Sequence, residues 1–284
     1  MKIDGREIAK QILSNLKLRV EKLKGKDAVP TLAVILIGDE KSSIAYIKQK
    51  QLKAKEIGAQ VEIFHFDESV VNNEIETLIR KLDKDVKIHG IILQRPVPKH
   101  IEITRLENLI SSQKEVDGFG NHPIFSVPVA QAVLTMIKNA YENSNEKQPF
   151  SNWLKAKKIV VLGKGETAGQ RIINLLREKG LDPVIIDSKT PDKNTLIKQA
   201  DIVISATGKI NAVKAFDIKP GVILIGVGLA NDSEGKLHGD YNEEEIKDIA
   251  SFYTPTPGGT GPVNVAMLLE NLVDAAESLT SNTI

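Results

Sequence analysis

The chain contains no cysteine among its 284 residues. That absence excludes a disulfide framework, a thiolate nucleophile and a zinc–thiolate site, and it agrees with a reducing cytoplasm. Aromatic residues make up only 4% of the sequence, too few for a nucleic-acid platform built on many stacked rings. The formal net charge of +1 gives no general attraction to nucleic acids or membranes.

Long hydrophobic runs are also missing. The longest apolar stretches, near residues 31–37 and 221–230, are far too short to span a bilayer. The first residues, MKIDGREIAKQ, lack the apolar core of a signal peptide. Because 284 residues are enough for two domains, we expect a cytoplasmic α/β protein that binds neither nucleic acid nor membrane.

The most informative stretch runs from residue 158 to 187, KIVVLGKGETAGQRIINLLREKGLDPVIID. It predicts a buried strand at 159–162, a turn with Gly163, Gly165 and Gly169, a helix ended by Gly180, and a second strand at 183–186. Glycine lets the backbone approach a pyrophosphate, and the helix start presents free N–H groups to it. The stretch is therefore interpreted as the βαβ unit of a dinucleotide site.

The residue that closes this unit bears on which cofactor is bound. Asp187 can accept hydrogen bonds from a ribose hydroxyl and repels a 2′-phosphate, which favours NAD. Ser188, Lys189 and Lys164 could instead hold such a phosphate. The residues alone leave NAD and NADP both open.

Helices and strands alternate through the rest of the chain. Strands are predicted at 31–37, 61–66, 88–93, 201–205 and 222–225, and helices at 4–23, 44–57, 73–82, 127–140, 243–249 and 263–278. The polar stretch 141–151 predicts a domain boundary. We expect a two-domain α/β fold: a catalytic domain at 1–140, completed by the C-terminal helix at 263–284, and a Rossmann-type dinucleotide-binding domain at 150–262.

Tyr46 and Lys50 are four residues apart on a predicted helix, so their side chains share one face. A lysine held partly out of water has a lowered pKa and exchanges protons near neutral pH. The alternative is a solvated lysine, because Lys48, Lys53 and Lys55 lie nearby.

Three other places could carry chemistry. Gln94 follows the strand at 88–93 and precedes a loop stiffened by two prolines. Asp117 lies in a turn-like stretch that suits an Asx turn as well as a ligand. The segment 254–262, TPTPGGTGP, has three prolines and three glycines and predicts a shaped backbone wall before the last helix.

Six motifs occur in a fixed order. They are S-x-x-Y-x-x-x-K at 43–50, GIILQRPVP at 90–98, KEVDGF at 114–119, the glycine loop at 163–169, ADIVISATG at 200–208, and TPTPGGTGP at 254–262, followed by VAMLL at 265–269. Together they resemble the FolD family, the bifunctional methylenetetrahydrofolate dehydrogenase/methenyltetrahydrofolate cyclohydrolases. The resemblance covers nearly the whole chain.

The resemblance implies an enzyme of one-carbon metabolism with folate bound between its domains. It would oxidise 5,10-methylenetetrahydrofolate with NADP and hydrolyse the 5,10-methenyl product to 10-formyltetrahydrofolate. Lys50 would be the main catalytic residue, positioned by Tyr46 and Gln94. Folate contacts are assigned to Asp117, Tyr46, Pro257, Gly258, Gly259 and Pro262, and cofactor contacts to Gly163, Lys164, Gly165, Gly169, Asp187, Ser188, Thr207, Gly208 and Leu229. A homodimer is implied, and no metal.

The cofactor side departs from the family pattern. Lys164-Gly165 replaces Arg-Ser, and Asp187-Ser188 replaces a His-Ser pair, so phosphate-reading groups are lost and NAD becomes an open alternative to NADP. Arg95 stands where the family has leucine. Three other readings stay open: a two-domain NAD(P) dehydrogenase of the shikimate type, a cyclohydrolase alone, and a folate or nucleotide binder without turnover.

Overall fold

The computed structural model describes residues 1–281. The contacts between these residues divide them into two compact units. The three-strand unit comprises Ala9–Pro128 and 265–281, and the five-strand unit comprises Met1–Ile8 and Val129–Asn264. The last three residues of the predicted segment 263–284 lie outside the described residues.

The first part of the chain alternates helices and strands, as predicted. Its elements are α1 (Gly5–Lys24), β1 (Thr31–Ile37), α2 (Lys41–Ile57), β2 (Gln60–Phe66), α3 (Asn72–Lys84), β3 (Gly90–Leu93) and α4 (Ile103–Glu107). The strands form a parallel sheet in the order β2–β1–β3. Every residue of the central strand β1 is buried, as expected for a strand covered on both faces. The chain reverses its direction of travel across the sheet between β1 and β3, where open α/β sheets place their ligands.

The last helix, α10 (Thr260–Ser281), belongs from residue 265 onward to the three-strand unit. Asn271 on this helix donates hydrogen bonds to the carbonyl oxygens of Val116 at 2.9 Å and Ser126 at 3.0 Å. Arg19 on α1 donates to Glu277 at 3.0 Å. The prediction that the C-terminal helix returns to the first α/β region is confirmed.

The five-strand unit is Rossmann-like. Its elements are α5 (Pro128–Glu142), α6 (Phe150–Lys155), β4 (Ile159–Leu162), α7 (Gly169–Glu178), β5 (Val184–Ile186), α8 (Lys193–Lys198), β6 (Ile202–Ser205), β7 (Ile223–Gly226), β8 (Leu229–Asn231), β9 (Leu237–Gly239), α9 (Glu243–Ile246) and β10 (Phe252–Tyr253). The first residue of α5, Pro128, is assigned to the three-strand unit. The parallel sheet has the order β10–β7–β6–β4–β5, and β8 pairs antiparallel with β9. The strand order reverses between β4 and β6, and the predicted α/β fold with a Rossmann-type second region is confirmed.

The structure contains a short helix, α6, that the sequence did not predict. Helix α6 begins at Phe150, inside the polar stretch 141–151, and this stretch lies within the five-strand unit. Trp153 on α6 is 2% exposed, and its ring lies 5.2 Å from that of Tyr141. Aromatic packing between positions distant in sequence, rather than local periodicity, therefore stabilises this segment.

None of the helices within residues 1–281 combines the length and the apolar content that crossing a membrane requires.

Candidate functional site

Lys50 is a buried lysine on α2, the helix that follows the central strand β1. Only 4% of the residue is exposed. Its Nζ donates a 2.9 Å hydrogen bond to Oε1 of Gln94 and lies 5.4 Å from the centroid of the Tyr46 ring. The four-residue spacing on a helix brings Tyr46 and Lys50 together, as predicted. The alternative of a solvated lysine is wrong.

Gln94 comes directly after β3 and is 8% exposed. Its backbone N–H donates to the carbonyl of Ile35 at 2.8 Å, which continues the sheet pairing. Its side-chain Nε2 donates to the carbonyl oxygen of Arg95 at 2.8 Å, and Ser43 Oγ donates to the same oxygen at 3.3 Å. Because the nitrogen end of the amide is held, the oxygen end is directed at Lys50.

Asp117 reaches the same edge of the sheet by another route. The segment before it runs beside β3, where Ile91 N–H donates to the carbonyl of Lys114 at 2.8 Å and pairs in parallel with Glu115. Burial lowers the pKa of Lys50, and the negative charge of Asp117 opposes that effect. Lys50, Tyr46, Gln94 and Asp117 therefore form one group, which we call the Lys50 cluster.

Glu115 shapes the turn that carries Asp117, and sequence reasoning missed it. This residue is 3% exposed, and its carboxylate accepts hydrogen bonds from the backbone N–H groups of Asp117 and Gly120, both at 3.2 Å. Burial raises the pKa of Glu115. Its place two residues before Asp117 was the available signal, because a carboxylate at the start of a turn can accept hydrogen bonds from the amides that follow it.

A second missed acid, Glu107, forms a buried ion pair with Arg95. Nη2 of Arg95 lies 2.9 Å from Oε1 and 2.8 Å from Oε2 of Glu107, and the guanidinium stacks 4.4 Å from the ring centroid of Phe119. Burial raises the pKa of Glu107 to about 7, although Arg95 opposes the shift. The signal in the sequence was Arg95 itself, since an arginine in place of leucine needs an acidic partner when it is buried.

The glycine loop lies where the strand order of the five-strand unit reverses. Gly163 has φ +88°, and a Cβ there would lie 2.5 Å from the carbonyl oxygen of Ala206 after β6. A Cβ on Gly169 would lie 2.0 Å from the carbonyl oxygen of Gly163. Nothing lies within 4 Å of a Cβ built on Gly165. Two glycines thus permit close backbone packing, and the third leaves open space that fits a pyrophosphate near the start of α7.

Lys164 and Asp187 form an ion pair beside this loop. Lys164 Nζ lies 2.7 Å from Asp187 Oδ2. Together with the backbone N–H of Lys189, which donates to Oδ1 at 2.9 Å, Lys164 lowers the pKa of Asp187 to about 2. Asp187 is therefore ionised at neutral pH, and the exposed Ser188 follows it.

Asp240 accepts hydrogen bonds from the segments that carry the remaining predicted cofactor residues. No pattern in the sequence predicted this role. It is 1% exposed and accepts hydrogen bonds from Thr207 Oγ1 at 2.8 Å and from the backbone N–H groups of Lys209 and Gly228, both at 3.1 Å. A Cβ on Gly208 would lie 3.6 Å from the carbonyl oxygen of Leu229. One buried carboxylate thus fixes the loop that carries Thr207 and Gly208 and the residue that precedes Leu229 at the start of β8.

The predicted folate-wall residues Pro257, Gly258, Gly259 and Pro262 belong to the five-strand unit, whereas the Lys50 cluster belongs to the three-strand unit. Gly258 has φ +108°, and the Thr256–Pro257 peptide bond is cis. A Cβ on Gly5 would lie only 1.9 Å from the carbonyl oxygen of Gly259, so the start of α1 packs directly on this loop. Within residues 1–281, the structure groups no three His, Asp or Glu side chains as metal ligands.

Family models match both halves of the chain. Residues 3–117 match the catalytic domain of tetrahydrofolate dehydrogenase/cyclohydrolase, and residues 130–280 match its NAD(P)-binding domain. The chain belongs to the tetrahydrofolate dehydrogenase/cyclohydrolase family. The resemblance drawn from six ordered motifs is confirmed.

Similar proteins cover almost the whole length of this family member. The bifunctional protein FolD of Lactococcus lactis subsp. lactis is 36% identical over 275 residues, 96% of each chain. The crystal structure of the bifunctional FolD methylenetetrahydrofolate dehydrogenase/cyclohydrolase from Campylobacter jejuni is 33% identical with a TM-score of 0.90, covering 98% of this chain and 99% of that one. The FolD structure from Trypanosoma brucei, complexed with NADP cofactor and an inhibitor, is 28% identical with a TM-score of 0.88, covering 98% and 97%. The shikimate-type, cyclohydrolase-only and binder alternatives are not favoured.

Proposed function

We propose that the chain catalyses two consecutive reactions on a one-carbon folate. It oxidises 5,10-methylenetetrahydrofolate to 5,10-methenyltetrahydrofolate with NADP, and it hydrolyses the methenyl compound to 10-formyltetrahydrofolate. The observation that carries the proposal is the buried amine of Lys50, hydrogen-bonded to Gln94 at 2.9 Å in a chain that matches both domains of the family.

In the hydrolysis, water adds its oxygen to the methenyl carbon that bridges N5 and N10. A neutral Lys50 amine takes up the proton that this water loses, which its lowered pKa allows. The bond from the carbon to N5 then breaks, N5 receives a proton from Lys50, and the hydroxyl proton leaves as the formyl group forms. One water molecule is consumed and one proton is released. Gln94 and Tyr46 keep the Lys50 amine in place through these steps.

In the oxidation, bound NADP would supply the acceptor for a hydride from the methylene carbon. The residues of the chain contribute orientation, which such a transfer needs more than acid–base help. Gly163, Gly165 and Gly169 would hold the pyrophosphate, and Thr207, Gly208 and Leu229 would hold the nicotinamide end. Lys164, Asp187 and Ser188 would contact the adenosine ribose.

Asp117 is proposed to bind the pterin ring of the folate. A carboxylate accepts well from the N–H donors of such a ring. Tyr46 would contribute a further contact on the same side. The contacts of Pro257, Gly258, Gly259 and Pro262 rest on their match to the family motif.

The domain assignment, oligomeric state and location are part of this proposal. Residues 1–140 with 263–284 would form the catalytic domain and 150–262 the dinucleotide-binding domain. The family matches at 3–117 and 130–280 support one domain of each kind in this order. A homodimer in the cytoplasm is supported by the family resemblance. Light scattering on the purified chain measures the oligomeric state, and a monomeric mass would contradict a dimer.

Two separate assays on the purified chain test the proposed function. Methylenetetrahydrofolate with NADP should yield reduced cofactor, and methenyltetrahydrofolate alone should be hydrolysed above the uncatalysed rate. Activity in one assay only would remove the other half of the proposal. Activity in neither, from a chain that unfolds cooperatively, would overturn it.

A further inference from the structure

The peptide bond that joins Val116 to Asp117 is held at both ends by buried side chains. Its oxygen accepts a 2.9 Å hydrogen bond from Nδ2 of Asn271 on α10, and its N–H donates to Oε1 of Glu115 at 3.2 Å. Asn271 is 2% exposed and Glu115 is 3% exposed. Because a peptide bond is a rigid plane, contacts at its two ends fix the backbone from which the Asp117 side chain extends.

Each of the two side chains also holds the far part of the loop that Asp117 begins. Nδ2 of Asn271 donates to the carbonyl oxygen of Ser126 at 3.0 Å, and Oε2 of Glu115 accepts from the backbone N–H of Gly120 at 3.2 Å. The start of the loop and its later residues are thus tied to the same two groups. We call these two side chains the Asn271–Glu115 clamp.

Close packing surrounds the clamped loop on both sides. Gly118, the residue after Asp117, has φ +74°, and a Cβ there would lie 2.8 Å from the carbonyl oxygen of Phe125. A Cβ on Gly90 of β3 would lie 2.9 Å from Cγ2 of Val116. The segment before Asp117 therefore packs on the sheet, and the segment after it packs on its own loop.

The amide of Asn271 is required for its chemistry as well as its shape. A side-chain amide nitrogen has two N–H donors, and here each of two backbone carbonyl oxygens receives one. An ionised aspartate has the same shape but only acceptors, so it would face those two oxygens without a donor. Leaving buried carbonyl oxygens unpaired costs free energy, which a shift of the loop would relieve.

Resting on the proposed function, we propose that Asn271 and Glu115 are positioning residues for folate recognition, which orient the Asp117 carboxylate toward the pterin ring and so set the affinity for both folate substrates. They act through the backbone of Asp117. Lys50 and Gln94 are held by contacts that do not include the clamp. The clamp therefore controls substrate binding, and proton transfer does not depend on it.

Initial rates of both reactions against folate concentration test the proposal. Asn271→Asp keeps the shape of the side chain, and its KM for methenyl- and methylenetetrahydrofolate should rise by about tenfold or more. Its kcat should stay close to that of the wild type, because binding lost equally from ground state and transition state changes KM alone. The KM should also increase with pH, as the introduced carboxyl ionises. Glu115→Gln retains one acceptor oxygen and should show a smaller rise, so it serves as the second variant if Asn271→Asp does not fold.

A double-mutant cycle with Asp117 separates positioning from a general effect on the fold. If the clamp acts through Asp117, Asn271→Asp combined with Asp117→Ala should have the KM of Asp117→Ala alone. Val273→Ala is the matched control on α10. Val273 is fully buried and shares a helix face with Glu277, which pairs with α1. This variant should have a lower melting temperature and unchanged KM values.

Two results would overturn the proposal. One is a wild-type KM in the clamp variants that fold. The other is additivity of Asn271→Asp and Asp117→Ala, which would show that the clamp acts on the fold as a whole. A wild type without either activity, or an Asp117→Ala variant with unchanged KM, would instead contradict the proposed function itself.

Discussion

The amine of Lys50 and the side-chain oxygen of Gln94 lie 2.9 Å apart, and each residue is more than nine-tenths buried. A lysine in water would keep its proton at neutral pH. Here burial lowers its pKa, and the amide oxygen holds the amine in one place without adding a charge. Proton exchange near neutrality and a fixed position are what the hydrolysis requires.

Replacing Asp117 with asparagine should move the pH profile of hydrolysis to lower pH. The Asp117 charge raises the pKa of Lys50, so its removal lowers that pKa further. Because the neutral amine is the active form, the rising limb of kcat against pH shifts in the acid direction. The measurement is initial-rate hydrolysis of methenyltetrahydrofolate across pH, with the uncatalysed rate subtracted. A shift toward alkaline pH would contradict the assigned electrostatics.

Replacing Gln94 with glutamate should have the opposite effect. A carboxylate in place of the amide puts a negative charge at hydrogen-bond distance from the Lys50 amine, which raises its pKa. The rising limb of kcat should therefore move to higher pH. Gln94→Glu and Asp117→Asn are a matched pair, because both change one charge near the same amine. Shifts of the same sign in both variants would rule out Lys50 as the titrating group.

Glu107 should make the three-strand unit less stable as pH rises. Its pKa is raised in the folded state to about 7 from 4.5, so the folded state holds the proton more tightly than the unfolded state does. The stability this provides is complete below about pH 4.5 and is lost as pH rises to about 7, by up to about 3 kcal/mol. In Glu107→Gln this loss should vanish. Thermal unfolding of both proteins between pH 5 and 8 measures the difference, and parallel curves would contradict the raised pKa.

Gly163 and Gly165 should respond differently to a methyl group. Gly163→Ala forces φ +88° on an alanine and brings its Cβ to within 2.5 Å of the Ala206 carbonyl oxygen, so the melting temperature should fall by several degrees. Gly165→Ala meets nothing within 4 Å, so stability should be kept while dinucleotide binding weakens. Thermal unfolding and calorimetry separate the two effects. A Gly163→Ala protein as stable as the wild type would show that the loop contact is not needed.

Asp240→Ala should weaken dinucleotide binding although Asp240 is not itself proposed to touch the cofactor. Its loss leaves the N–H groups of Lys209 and Gly228 without their buried acceptor. Asp240→Asn keeps one oxygen acceptor and should lose less affinity. The check is the dissociation constant for NADP and NAD, which should rise together. A change in one cofactor only would point to direct contact instead.

Local patterns predicted the glycine loop and the shared helix face of Tyr46 and Lys50, whereas the grouping of Lys50 with Gln94 and Asp117 came from the family resemblance. The four-residue spacing places Tyr46 and Lys50 on one helix face. Gln94 follows a strand whose run of apolar residues predicts that it is buried. Asp240 and Glu107 could not be predicted, because their partners Thr207 and Arg95 are selected by tertiary packing. The role of a buried carboxylate can be assigned only when the groups that contact it in the folded structure are known.

The same limit explains the Lys164–Asp187 pair. Both residues were predicted to face the cofactor, with opposite preferences for its 2′ position. The strand pairing brings the two side chains to 2.7 Å. The charge of Asp187 is therefore balanced by Lys164, the same lysine that could hold a phosphate. Only the register of β4 against β5 reveals this coupling.

Lys50→Met tests the central claim most directly. The methionine keeps the length and apolar stem of the side chain but cannot exchange a proton. Hydrolysis of methenyltetrahydrofolate should fall by roughly 10²–10⁴-fold, while NADP reduction from methylenetetrahydrofolate stays measurable. Lys48→Met, at an exposed position on the same helix, should leave both rates unchanged. Hydrolysis at the wild-type rate in Lys50→Met would contradict the account.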